Sequence, residues 1–240
     1  MSTSPYKSRV LLTRSVDENH KLKEQLKPYG FNCVSCPLIT YKNLPVDYVA
    51  IFDHYSNIII TSKYAAKLIY SALNNLSANY RKNIELWVVG HTSATILKSI
   101  AFIKTQYIAN DVRDLINNLP ETIYNEAVYL SANEITSLLP SAITRQVIYE
   151  VTYKETLEAQ DFTEIMAGID YILLYSQNCA KTLIKLLTKY NLINTLKNTI
   201  VITISAKVAN IVNIYFSNVV YVEQAEHQQM INLLINYDKN

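Results

Sequence analysis

Short apolar runs that end in a polar residue and lead into a helical pattern recur along this chain. That recurrence limits the possible folds more than any other feature. Arg9 to Leu12 reads as a short buried strand closed by Thr13 and Arg14. Asp17 to Lys27 follows with amphipathic helical spacing, stopped by Pro28 and Gly30. Phe31 to Cys36 reads as a second strand, and Pro37 turns the chain. Two strands bridged by a helix form a β-α-β unit, which builds parallel sheets. The pattern returns at Asn57 to Ile60, Leu86 to Val89, Ala127 to Leu130, Tyr171 to Leu174 and Thr199 to Ile204, and more briefly at Val219 to Val222. Helices are expected over Lys63 to Leu73, Thr92 to Ala101, Asn133 to Leu139, Asn178 to Leu187, Ala206 to Tyr215 and His227 to Tyr237. Gln146 to Tyr153 reads as extended. Strands that alternate with helices in this way predict an α/β protein.

The runs also resemble one another in pairs. Ile59-Ile60-Thr61-Ser62-Lys63 resembles Leu173-Leu174-Tyr175-Ser176-Gln177, and Val88-Val89-Gly90-His91 resembles Thr203-Ile204-Ser205-Ala206. Leu11-Leu12-Thr13-Arg14 resembles Tyr129-Leu130-Ser131-Ala132, and Thr40-Tyr41-Lys42 matches Thr152-Tyr153-Lys154. The partners keep the same order at an offset of about 112 to 118 residues. This predicts two homologous halves. A chain of 240 residues has room for two domains.

Polar residues at successive strand ends point to a ligand edge, because open α/β sheets bind ligands at the carboxyl ends of their strands. Thr13, Ser62, Ser93, Ser131 and Ser176 supply hydroxyls there. Several precede helices, whose free N–H groups and positive dipole end hold carboxylates or phosphates. Arg14, Lys63 and Lys207 add positive charge, and Gly90 with His91 stands at another strand end. Plain helix capping or a solvated surface explains any one of these residues taken singly.

Other chemistry has less support. Only three glycines are present, and neither a dinucleotide fingerprint nor a phosphate loop occurs. His20, His54, His91 and His227 are scattered, so no metal and no cofactor is expected. Cys33 and Cys36 have redox spacing, but the pair ends an extended run rather than opening a helix, and reads as two ordinary strand cysteines. A net charge of +2 without a basic run speaks against a nucleic-acid partner. No apolar stretch reaches membrane-spanning length, and Met1 to Arg9 carries no signal-peptide pattern, so no membrane partner and a cytoplasmic location are expected.

With these strand ends in hand, the sequence resembles the uroporphyrinogen-III synthase family. The pieces are Leu11-Leu12-Thr13-Arg14, Pro37-Leu38-Ile39, Ile60-Thr61-Ser62, Val89-Gly90 with Ser93-Ala94, Val151-Thr152-Tyr153 and Tyr175-Ser176. The resemblance implies two Rossmann-like lobes with parallel sheets, joined by a two-stranded linker. One lobe would comprise 1–37 plus 155–240 and the other 41–152, with crossings near 37–42 and 152–155. It implies a monomeric lyase that closes the linear tetrapyrrole hydroxymethylbilane, a substrate with eight carboxylates, into uroporphyrinogen III. Water is lost and the last pyrrole ring is inverted. Tyr153 matches the family's cleft tyrosine, placed to assist departure of the hydroxyl. Ser62, Ser93 and Ser176 match hydroxyls lining the cleft, and Thr13 and Arg14 match the first strand end. Departures occur where Tyr175 replaces the usual Thr, Ser205 the usual Gly, and Val208 a hydroxyl residue. The residues themselves leave open a two-lobed cytoplasmic binding protein for a small anionic ligand. A nucleotide-sugar transferase on the same architecture would need a phosphate loop or an acidic metal pair, and neither is found.

Overall fold

The computed structural model describes residues 8–101, 103–135 and 137–239. The stretch 1–7, which carries most of the expectation of no signal peptide, lies outside them. In chain order the elements begin with β1 (Arg9–Leu12), α1 (Val16–Leu26), β2 (Asn32–Ser35), β3 (Ile39–Asn43), α2 (Tyr48–His54) and β4 (Asn57–Ile60). Next come α3 (Lys63–Asn74), α4 (Ala78–Arg81), β5 (Glu85–Val89), α5 (His91–Leu97), β6 (Lys104–Ala109) and α6 (Val112–Asn118). Then follow β7 (Ala127–Ala132), β8 (Thr144–Tyr153), α7 (Ala159–Met166), β9 (Tyr171–Leu174) and α8 (Gln177–Lys189). The chain ends with β10 (Ile200–Thr203), α9 (Ala206–Val212), β11 (Asn218–Tyr221) and α10 (His227–Asp238).

Two compact units result. One comprises 1–40 with 152–240, and the other 41–151. The first holds a five-stranded sheet in the order β11-β10-β9-β1-β2. Every pairing in it is parallel, so all its carboxyl ends share one edge. β1 and β9 are in register, with Leu11 opposite Ile172 and Leu12 opposite Leu173. The strand sequence is almost uniformly apolar because helices cover both faces. Leu11, Val34, Ile172, Leu174 and Val201 face α7, α8 and α9, meeting Ile165, Leu183, Leu187, Val208 and Val212. The alternate residues Val10, Leu12, Leu173 and Ile202 face α1 and α10, meeting Leu22, Leu26, Met230 and Leu234. This is the period of two that a pleated strand imposes.

The second unit repeats the logic. Its sheet runs β3-β8-β7-β4-β5-β6. The pairs β4–β5, β4–β7, β5–β6 and β7–β8 are parallel. Ile58, Ile60, Leu86 and Val88 pack against Ile69 and Leu73 of α3 and Leu97 of α5. Ile59, Trp87 and Tyr129 pack on the other face with Leu115 of α6. Trp87 Nε1 donates to Asn57 Oδ1 at 2.9 Å, which satisfies the indole inside the core. β3 lies beside β8; Lys154 N–H donates to the Leu38 carbonyl and Leu44 N–H to the Ile148 carbonyl. One strand's numbers rise as the other's fall along these bonds, so the pair runs antiparallel.

One expected element is overturned. Among the described residues, 133–139 contains no helix, and Thr136 lies outside them. The cause is Arg145 in β8. Its guanidinium donates to the Ala132 and Asn133 carbonyls at 2.6 and 2.7 Å, the acceptors a helix would need to begin. Asn133 Oδ1 also accepts from Val151 N–H at 2.7 Å, holding the segment along β8. The expected helices after Leu86 to Val89 and Thr199 to Ile204 form, but they end early at Leu97 and Val212. No helix among the described residues is long and apolar enough to cross a membrane.

Candidate functional site

In each sheet the chain winds outward in both directions from one point. In the first unit that point lies between β1 and β9, and in the second between β4 and β7. In the first unit the helices leaving these two adjacent strands, α1 and α8, lie on opposite faces of the sheet, and such a switch opens a crevice at the carboxyl edge.

In the first unit this edge carries Thr13 and Arg14 after β1, and Tyr175 and Ser176 after β9. Arg14 is held from three directions. Its N–H donates to Asn19 Oδ1 at 2.9 Å, its guanidinium meets Glu18 at 2.7 Å, and its Cζ lies 4.4 Å from the Tyr175 ring centre. Burial pushes the Tyr175 phenol above its ordinary range, against the pull of the Arg14 charge. Ser176 caps α8 by accepting from Cys179 N–H at 3.1 Å. Asn19 is 1% exposed and spends its amide donors on the Leu12 carbonyl and Ser35 Oγ, both at 3.0 Å. It therefore ties the end of β1 to the end of β2.

Tyr153 is half-buried at the end of β8, and its hydroxyl accepts from Asn178 Nδ2 at 2.9 Å. Asn178 stands in the first turn of α8, so the phenol oxygen lies beside that helix's positive end. Tyr153 also lines a cavity of about 530 Å³ with Ser35, Thr40, Thr152, Lys154 and Asp161. Lys154 Nζ meets Asp161 at 2.7 Å and Glu158 at 3.3 Å. Those carboxylates form the capping box of α7. Burial alone would lower the Lys154 pKa; the Asp161 bond and charge outweigh it and hold the ammonium above its usual range. Desolvation, with Asp161 adding to it, pushes the neighbouring Cys36 thiol up to about 12, and burial takes Cys33 to about 11. Both thiols are held in the protonated form at neutral pH.

In the second unit Ser62 caps α3, accepting from Ala65 N–H at 3.0 Å, and bonds Tyr149 Oη at 2.8 Å. Tyr64 stacks on Tyr41 at 4.3 Å beside it. Lys63 and His91 are exposed in the first turns of α3 and α5. Gly90 caps α5 at φ +86°, a backbone conformation that a side chain would strain. In the first unit, Lys207 is exposed in the first turn of α9.

Three expected hydroxyls turn inward. Thr13 is 1% exposed and donates to the Leu173 carbonyl at 2.7 Å. Ser131 is buried within β7, donating to the Ala132 carbonyl and accepting from Arg145 Nε. Ser93 is buried in α5. All three side chains are buried, and those of Thr13 and Ser131 are hydrogen-bonded within their sheets. Sequence reasoning passes over Asn19, Asn178 and the Lys154–Asp161 pair. The available signal is an amide in the first turn after a polar strand end, at both Asn19 and Asn178.

A family model described as uroporphyrinogen-III synthase HemD matches residues 20–232. An uncharacterized protein of Rickettsia prowazekii (strain Madrid E) is 36% identical, across 94% of this chain and 97% of its own. Among solved structures, the uroporphyrinogen-III synthetase of Helicobacter pylori 26695 superposes with a TM-score of 0.60 at 17% identity, covering 97% of this chain and 100% of that one. A mutant uroporphyrinogen III synthase from the extremely thermophilic bacterium Thermus thermophilus gives 0.60 at 14% identity with the same coverage. At these identities the two structures establish a common two-lobed α/β fold.

Proposed function

The chain belongs to the uroporphyrinogen-III synthase family, and from that membership we propose that it converts hydroxymethylbilane into uroporphyrinogen III as a cyclising hydro-lyase. The observation that carries this reading beyond the family is Tyr153, whose hydroxyl accepts from Asn178 at the start of α8 and whose side chain lines the cavity of about 530 Å³. A phenol so placed gives its proton to the substrate's departing hydroxyl. The C–O bond breaks, its electron pair leaves with oxygen as water, and an azafulvene cation remains. The pyrrole carbon of the last ring attacks through a spiro intermediate, which rearranges to the inverted macrocycle. The proton displaced from pyrrole carbon at final closure balances the one given by Tyr153.

The substrate's eight carboxylates match the chemistry offered at both strand edges. Arg14 and the Ser176-capped start of α8 serve one unit, with Lys207 at α9. Ser62, Lys63, Gly90 and His91 serve the other, at the starts of α3 and α5. Closure without a catalyst gives the uninverted isomer, so catalysis here is mainly the holding of one folded conformer. The test is to incubate the protein with freshly made hydroxymethylbilane, oxidise the product and separate the porphyrin isomers. Type III should dominate; a mixture equal to the protein-free control would refute the proposal.

A further inference from the structure

We propose that Asn178 is a positioning residue that sets the direction of the Tyr153 O–H bond. This rests on the synthase reading above and adds a residue to it. The contact joins positions 25 apart in the chain, at 2.9 Å, between β8 and the first turn of α8. An asparagine amide nitrogen only donates, so the phenol oxygen accepts in this bond. The phenol's own proton is therefore not spent on Asn178. The same bond fixes the position of the oxygen on a side chain that lines the cavity.

Charge acts in the same direction. As Tyr153 gives up its proton, negative charge grows on its oxygen. The Asn178 N–H bond strengthens toward that charge, and the positive end of α8 lies beside it. Both effects act more strongly after proton transfer than before, which is the condition for speeding the chemical step rather than substrate binding. The backbone of Asn178 is fixed independently, because Ser176 caps the helix two residues earlier. Asn178 acts through Tyr153 and makes no bond to the reacting atoms in this scheme.

Asn178→Asp is the informative variant. It keeps the size of the side chain, and a carboxylate in the first turn of a helix favours the fold. It reverses the hydrogen bond: the carboxylate accepts, drawing the phenol proton to itself and opposing charge on the phenol. The expected result is a fall in kcat of about tenfold with KM within about twofold, and an unchanged melting temperature. In the Tyr153→Phe background the same substitution should change kcat by less than about twofold, since the hydroxyl it acts through is gone. An active wild type whose Asn178→Asp variant keeps its kcat overturns the inference alone. So does a loss of the same size in the Tyr153→Phe background, or a loss confined to KM. A wild type that makes no excess type III isomer overturns the synthase reading, and this inference with it.

Discussion

Replacing Asn19 with leucine perturbs the joint on which the first unit's edge depends. Asn19 is 1% exposed and makes three hydrogen bonds, with Arg14 N–H, the Leu12 carbonyl and Ser35 Oγ. Leucine fits the volume but removes all three. The Leu12 carbonyl keeps a partner in Cys36 N–H at 2.9 Å, and Ser35 borders the cavity where water can replace the amide. The Arg14 N–H loses its Asn19 acceptor in a partly buried place. An orphaned donor costs about 1–3 kcal/mol and each other bond about 1, while the added apolar burial offsets part. The net expected loss is about 2–3 kcal/mol, or roughly 5–10 °C in melting temperature. Far-UV circular dichroism in a thermal scan measures it. Trp87 is the only tryptophan and lies in the other unit, so its emission follows that unit separately. A circular-dichroism midpoint within about 1 °C of wild type would refute the claim that Asn19 braces the strand ends.

Tyr153→Phe should lower kcat by about 10²-fold or more while the melting temperature holds, checked by initial rates of type III formation. Lys154→Met leaves the Asp161 carboxylate, 10% exposed, without its cation. It should cost about 1.5–3 kcal/mol in urea unfolding, part of it regained by adding Asp161→Leu. Cys33 and Cys36 should resist iodoacetamide in the folded state at pH 8 and react once urea unfolds the chain. Their thiols sit at about 11 and 12 when folded against 9 ordinarily, so the folded protein keeps protons the unfolded chain has lost in that window. Stability from these groups is therefore complete below about pH 9 and falls as pH rises toward 12, which urea midpoints across that range would register.

How much of this is legible in the sequence depends on burial. β1, β4 and β9 read as strands because helices cover both faces and leave apolar runs such as Asn57-Ile58-Ile59-Ile60. β6 escapes notice because it lies at the sheet's edge, where Lys104-Thr105-Gln106 breaks the run. α2, α6 and α7 are short and mix polar with apolar residues, and they too are missed. The helix expected after β7 fails because of Arg145, whose bonds to the Ala132 and Asn133 carbonyls cross the strand pair. No local pattern contains that contact.

The candidate site shows the same division. Polar residues after apolar runs mark the edge, and Ser62 and Ser176 do cap helices there. Whether a strand-end hydroxyl points out or in is not legible. Thr13 and Ser131 differ from Ser62 by where the pleat and the following segment turn them, and that depends on the whole sheet. The pairing of Tyr153 with Asn178 is likewise out of reach, because it needs the end of β8 and the start of α8 to meet.

The most direct measurement is the rate of each isomer as protein concentration is raised against a fixed amount of hydroxymethylbilane. The account predicts that type III formation rises in proportion to the protein while type I continues only at its spontaneous rate. A type III rate independent of protein, or a parallel rise in type I, would contradict it.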